Sequence, residues 1–129
     1  LIFDPIKNEM FYAEKNNGSF FNNQRIRVSN KKKIDECLFA SKEKNENLTK
    51  LSIRNLGSAA LDMAYVGSGR FDGFFQKNLE IWDIAAGVII VKEAGGILNH
   101  IDLLSKSKIN IIASSNAIYE NIVKKLNNF

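Results

Sequence analysis

Short apolar or alternating runs fill the opening of the chain: Leu1 to Phe3, Met10 to Glu14, Ser19 to Phe21 and Ile26 to Val28. Asn- and Gly-rich punctuation at Asn16-Asn17-Gly18 and Asn22-Asn23 separates them, so this stretch reads as β-hairpins. Such strands would be the edge of a sheet whose remainder lies elsewhere. Ser29 to Asp35 is a polar, Lys-rich connection, and it divides the chain into a first unit, residues 1–30, and a second, residues 36–129. In the second unit Cys37 to Ser41 reads as a strand and Glu43 to Leu51 as a polar, weakly helical segment. Strand and helix then alternate. Ile53 to Leu56 leads through Gly57-Ser58 into a helix over Ala59 to Val66, which Gly67-Ser68-Gly69 stops before a strand at Phe71 to Phe75. A helix from Ile84 to Ala94, strands at Ile97 to Asn99 and Ile109 to Ala113, and a terminal helix over Ala117 to Leu126 capped by Ser115 or Asn116 complete the pattern. Alternation of this kind predicts an α/β fold in layers.

The segment from Ile84 to Ala94 is apolar all round, which predicts a buried helix, and Gly95-Gly96 would end it. Asp83 stands directly before that helix. Its carboxylate has two readings: it caps orphan N–H groups at the positive end of the helix dipole, or the helix start presents it to a metal ion or phosphate in a cleft. Spacing alone favours the cap.

Hydrophobic residues make up 45% of the 129 positions, and no apolar run approaches the ~20 residues of a membrane span. A soluble protein of a reducing, cytoplasmic compartment is expected, consistent with Cys37 as the single cysteine. The net charge of +4 and the triplet Lys31-Lys32-Lys33 invite a nucleic-acid reading. Arg supplies only 4 of the 18 basic residues, however, and no aromatic side chains interleave with the lysines, so nucleic acid is not the expected partner.

Gly57-Ser58-Ala59 lies at a strand-to-helix junction, where free N–H groups suit an anion and where Ser58 also suits a plain N-cap. Gly67-Ser68-Gly69 lacks the Gly-Lys-Ser/Thr ending of a phosphate-cradling loop. His100 is the only histidine and has no nucleophile in a recognisable motif, so a catalytic triad is not expected. Asp62 and Asp72 are read as structural, and so is Asp4.

Three ordered blocks carry a resemblance. Trp82-Asp83-Ile84-Ala85-Ala86-Gly87 through Glu93-Ala94-Gly95-Gly96, the run Gly57-Ser58-Ala59-Ala60-Leu61-Asp62 with Gly69-Arg70-Phe71-Asp72-Gly73-Phe74, and Asp4-Pro5-Ile6-Lys7-Asn8-Glu9 with Gly18-Ser19-Phe20-Phe21 are similar to the C-terminal half of the inositol monophosphatase family. The resemblance implies a layered α/β sandwich of the sugar-phosphatase type, with the first hairpins as a remnant of a preceding sheet. It implies Mg²⁺-dependent hydrolysis of inositol phosphate or a related sugar or polyol phosphate, within a longer enzyme; the sheet edge at Leu1 to Val28 needs covering, which favours a partner or a homodimer. Asp83 is then a metal ligand, and Gly57, Ser58, Ala59 and Gln76 line the substrate pocket; no catalytic residue is assigned.

Two departures matter. Gln76 stands where the family has a glutamate that binds inositol hydroxyls, so another polyol phosphate enters consideration. The glutamate pair and the Asp-Pro-x-Asp-Gly-Thr motif that hold further metal ions do not occur in the chain, and Asp4-Pro5 is not followed by that pattern. The isolated chain is therefore expected to be inactive. The alternative is a noncatalytic interaction module, since related bacterial proteins associate with nucleic-acid machinery.

Overall fold

Period-two alternation sorts the first strands' side chains onto two faces. In the computed structural model, which describes residues 1–127 and 129, β1 (Ile2–Asp4), β2 (Glu9–Glu14), β3 (Gly18–Phe21) and β4 (Gln24–Ile26) form an antiparallel sheet in sequential order. Phe11 is buried on one face while its neighbour Met10 is exposed on the other. Asn22 and Asn23 take φ of 44° and 71° between β3 and β4, the left-handed pair that a type I′ hairpin needs and that Asn tolerates.

The second sheet has the order β6-β5-β7-β9-β8. Its strands are β5 (Leu38–Ala40), β6 (Ser52–Arg54), β7 (Gly73–Leu79), β8 (Ile97–Leu98) and β9 (Ile109–Ser114). β5 runs parallel to β6 and β7, whereas β9 is antiparallel to β7 and β8. Phe74, Ile111 and Ala113 point to one side of it, and Phe39, Phe75 and Ile112 to the other. On the first side lie α1 (Ala59–Gly67) and α2 (Ile81–Glu93), which also meet the first sheet. On the second side lies α3 (Tyr119–Leu126), with Ile122 and Leu126 inward. The layers thus run sheet, helices, sheet, helix. Residues 1–30 share the central core: Ile2 and Phe11 pack in one cluster with Met63, Ile84 and Ala113. Among the described residues no helix is long and apolar enough to cross a membrane.

Two glycines bring α1 and α2 together. A Cβ on Gly87 would lie 2.7 Å from the Cβ of Met63, and one on Gly67 would lie 2.8 Å from Cγ2 of Ile90. Because Met63 meets Gly87 and Gly67 meets Ile90, the two helices run in the same direction and start at the same end. Gly87→Ala should lower unfolding stability by about 2 kcal/mol in denaturant titration, since a rigid Cβ cannot yield to Met63; an unchanged midpoint would refute the close approach.

The first sheet is pinned to α1 by a charged clamp. Arg70 donates two hydrogen bonds to the Glu9 carboxylate, one of 2.8 Å, and its guanidinium lies 4.7 Å from the Tyr65 ring centroid and 4.9 Å from that of Phe21. The hydrogen bonds from Arg70 hold the Glu9 carboxyl below its usual range, against the opposing effect of burial. A depressed carboxyl stabilises the fold above its unfolded-state pKa and loses that effect as the pH falls. Arg70→Gln should therefore destabilise the protein by about 2 kcal/mol at neutral pH, leaving Glu9 uncompensated. The difference from the unsubstituted chain should narrow in acid unfolding curves.

Several elements depart from the pattern-based reading. The Glu43 to Leu51 segment forms only a short 3-10 turn, Glu46–Leu48, because Oε1 of Glu43 accepts the Lys77 N–H and draws the chain to β7. The α1 helix continues through Gly67, and it is Gly69, with φ of +77°, that turns the chain away. The terminal helix begins at Tyr119 with Ile118 as N-cap, so Ser115 and Asn116 fall two or more residues before the cap, and Oγ of Ser115 is buried without a partner rather than capping. β7 does not stop at Phe75 but runs to Leu79 through a bulge, one extra residue between the Gln76–Ile111 and Leu79–Ile109 pairs. The helix read from Ile84 starts three residues earlier, at Ile81.

Candidate functional site

Parallel strands put their carboxyl ends together, and ligands of open α/β sheets bind where neighbouring strands send their connections opposite ways. β5 and β7 are such a pair. From β5 the chain turns to β6 by way of the Glu46–Leu48 turn, on the α3 side of the sheet. From β7 it passes through α2, on the opposite side, to β8. A cleft of about 330 Å³ opens there, lined by Lys42, Gly57, Ser58, Ala59, Ala60, Gln76, Leu79, Trp82 and Asp83. All five residues named from the sequence, Asp83, Gly57, Ser58, Ala59 and Gln76, stand on this one cleft.

The α1 wall is built on backbone geometry. Gly57 takes φ of +83°, open to glycine and strained for other residues, and it delivers the chain to Ser58. Oγ of Ser58 accepts the Leu61 N–H at 3.3 Å, so Ser58 is an N-cap. Ala59 and Ala60, at the first two helical positions, keep N–H groups with no acceptor inside the helix.

The α2 wall carries one carboxylate, that of Asp83. Asp83 is the third helical residue, not the one before the helix, and Glu80 is the N-cap. The two form a reciprocal box: the Glu80 side chain takes the Asp83 N–H, and Oδ2 of Asp83 takes the Glu80 N–H at 3.2 Å. One oxygen of Asp83 is thereby anchored while its side chain stays exposed, and Lys108 pairs with Glu80. Asp83 thus serves as a cap and still offers an oxygen to the cleft.

Gln76 is 8% exposed, and its Oε1 is buried with no hydrogen-bond partner. An unpaired buried acceptor costs about 1–3 kcal/mol, so a donor in the cleft would be welcomed there. Sequence reasoning overlooked Lys42, Ala60, Leu79 and Trp82 as lining residues. The usable signal for Lys42 was its place just beyond a strand end, at the mouth of the sheet.

The other acidic and nucleophilic candidates lie apart from the lining. Asp72 is buried, with Oδ2 accepting the Leu38 N–H at 2.7 Å and pairing with Lys31. Asp4 accepts the Ile6 N–H at 3.0 Å within its own turn. Burial pushes the Cys37 thiol up to about 11, and its Sγ donates to the Lys33 carbonyl, the state of an inert core thiol. Arg54 and His100 are exposed outside the cleft. Among the described residues no three His, Cys, Asp or Glu side chains gather as a metal cluster.

Asp62, in α1, is 2% exposed with Oδ1 unpaired, and burial pushes its carboxyl up to about 7 while Lys42 pulls it back. A raised carboxyl opposes folding once it ionises, so its contribution worsens as pH rises from the ordinary 3.8 towards 7. Asp62→Asn should remove that component: the fall in melting temperature between about pH 5 and about pH 8 should shrink by several degrees. An equal fall in both proteins would contradict a buried, protonated Asp62.

Comparison with known proteins follows the same lines. The sequence model described as the inositol monophosphatase family matches residues 1–128. A Thermotoga maritima protein named fructose-1,6-bisphosphatase/inositol-1-monophosphatase is 44% identical over 142 aligned positions, covering 98% of this chain and 54% of that protein. The Nus factor SuhB of Escherichia coli is 40% identical over 77% of this chain and 43% of its own length. The crystal structure of the extragenic suppressor protein suhB from Bartonella henselae superposes with a TM-score of 0.88 at 40% identity, over 96% of this chain and 56% of that one. The chain spans about half the length of the curated relatives it matches.

Proposed function

Because the chain belongs to the inositol monophosphatase family, we propose that its cleft is one side of a Mg²⁺-dependent phosphomonoesterase site for inositol phosphate or a related sugar or polyol phosphate. The observation that carries this reading is the convergence of the two helix starts, one with free N–H groups and one with a carboxylate, on a single cleft. Mg²⁺ is commonly held by one or two carboxylates together with substrate phosphate and water, and Asp83, with one oxygen anchored and one free, fits such a ligand. When bound, the ion supplies charge neutralisation and an activated water. Asp83 would hold it at the α2 start. Ala59 and Ala60 would orient the ester through their N–H groups, Gln76 would accept from a hydroxyl, and the buried Leu79 would supply an apolar part of the lining.

The relatives that print an enzymatic name are longer than this chain, and in this reading carboxylates beyond Asp83 complete the site. The 129-residue chain alone should release no phosphate from inositol 1-phosphate with Mg²⁺ present. Turnover abolished by Asp83→Asn would show instead that this cleft suffices.

The metal assignment is tested separately. Mn²⁺ added to labelled protein should broaden the amide signals of Trp82 to Ile84 and of Ala59 and Ala60, and Asp83→Asn should abolish the effect. Without site-selective broadening the ligand reading falls. That outcome would favour the second reading, a noncatalytic interaction module, which the lone carboxylate and the likeness to proteins named Nus factor SuhB support.

A further inference from the structure

Asp62 is a buried carboxyl that the packing around it leaves unpaired. Its side chain is 2% exposed and Oδ1 has no hydrogen-bond partner, although buried polar groups are ordinarily bonded. Its N–H donates to the Ser58 carbonyl, so it stands in the same first turn of α1 as Ala59 and Ala60, which line the cleft. The charged groups on the other elements packed against α1 are engaged elsewhere. Asp4 accepts the Ile6 N–H, Lys7, Glu9 and Arg70 gather round Tyr65, and Lys77 lies over the Phe129 ring. On α2, Asp83 bonds within its box, Glu93 accepts the Gly18 N–H at the far end, and Lys92 is exposed. Lys42, exposed and on the cleft lining, is the charged group that acts on Asp62. Among the described residues Lys42 has no carboxylate within ion-pairing distance.

We propose that Asp62 is a positioning residue that sets the cleft's affinity for a phosphate group through Lys42: protonated, it leaves the ammonium to the ester, and ionised, it competes for it. The inference rests on the reading above of the α1 start as the place that orients the ester. Both states are within reach near neutrality, because burial pushes the Asp62 carboxyl up to about 7 against the pull of Lys42. With Asp62 uncharged, an anion at the start of α1 meets the helix dipole and a free ammonium together. Loss of the proton puts a negative charge in the same turn, and a buried charge is screened less than one in water. It also gives Lys42 a partner within the protein, and the flexible four-carbon stem of lysine lets the ammonium turn from one anion to the other. For an anion of fixed charge, the cleft therefore binds more tightly on the acid side of neutrality and releases on the alkaline side.

Sulfate is the probe, since it stays divalent across the range of the test. It is titrated into the metal-free, labelled 129-residue chain, reading the amide signals of Ala59 and Ala60, while the side-chain carboxyl signal of Asp62 reports its own titration. Sulfate should bind about fivefold more weakly at about pH 8.5 than at about pH 5.5, an ordinary coupling between two sites. Reciprocally, saturating sulfate should raise the Asp62 titration midpoint by about 0.7 in pH, the same factor seen from the proton. Asp62→Asn should bind sulfate with a flat pH profile, and Lys42→Met should shrink the fivefold change to below about twofold. A merely structural aspartate would move neither the profile nor the midpoint. If the Asn variant does not fold, the midpoint in the unsubstituted chain decides, and a midpoint that sulfate leaves in place overturns the proposal. A pH dependence that survives either substitution overturns it too, while sulfate binding itself keeps the ester reading standing. If sulfate moves neither amide at any pH, that reading falls and the proposal falls with it.

Discussion

The close parallel contact of α1 and α2 is the constraint on which the rest of the molecule depends. Met63 sits where a side chain on Gly87 would be, and Ile90 sits where one on Gly67 would be, so the helices approach nearer than ordinary side chains allow. Running in one direction, they place both of their positive ends at one end of the sandwich. With them come the free N–H groups of Ala59 and Ala60 and the carboxylate of Asp83. Were the pair antiparallel, the N-caps Ser58 and Glu80 would lie at opposite ends of the layer and no cleft would combine them.

Both sheets are fitted to this helical layer. The second sheet contributes Gln76, the strand end beyond which Lys42 lies, and Leu79, which the bulge after Gln76 turns to the side of Phe74. The first sheet is locked on from the other side: the Ser19 hydroxyl donates to the Ile90 carbonyl at 2.6 Å, the Val28 N–H to the Ala94 carbonyl, and Arg70 grips Glu9 over the rings of Tyr65 and Phe21. These bonds hold the layer without using any cleft-lining side chain. The chemistry at the mouth is thus left with its polar groups unspent, most visibly at Gln76 and Lys42.

Legibility of the sequence followed the range of the interactions involved. Hairpins in the first thirty residues were plain because Asn22 and Asn23 carry their own left-handed preference. The apolar run after Asp83 announced a helix but not its exposure: Ile84, Gly87, Val88 and Val91 are buried, while Trp82, Ala85 and Lys92 form an exposed face, because the helix packs between the sheets on one side only. The start of that helix was misplaced because its cap is a Glu80–Asp83 reciprocal pair rather than Ser or Thr. The far half of β7 was missed because Gln76-Lys77-Asn78 is polar, and its strand character comes from pairing with β9. Lys42 read as one more solvated lysine among many.

Local chemistry along the chain determined the hairpins, the apolar helices and Asp83, Gly57, Ser58 and Ala59 as residues at helix starts, whereas Gln76 was named only through the family resemblance. It did so because turn preference, helix capping and hydrophobic periodicity act between near neighbours. Tertiary structure alone decided that these residues share one cleft, that Asp83 both caps its helix and faces that cleft, and that Lys42 stands beside Gln76 at the sheet's mouth. Those facts arise from β5 pairing with β7 and α1 with α2, contacts between segments far apart in sequence, for which no local pattern carries a signal.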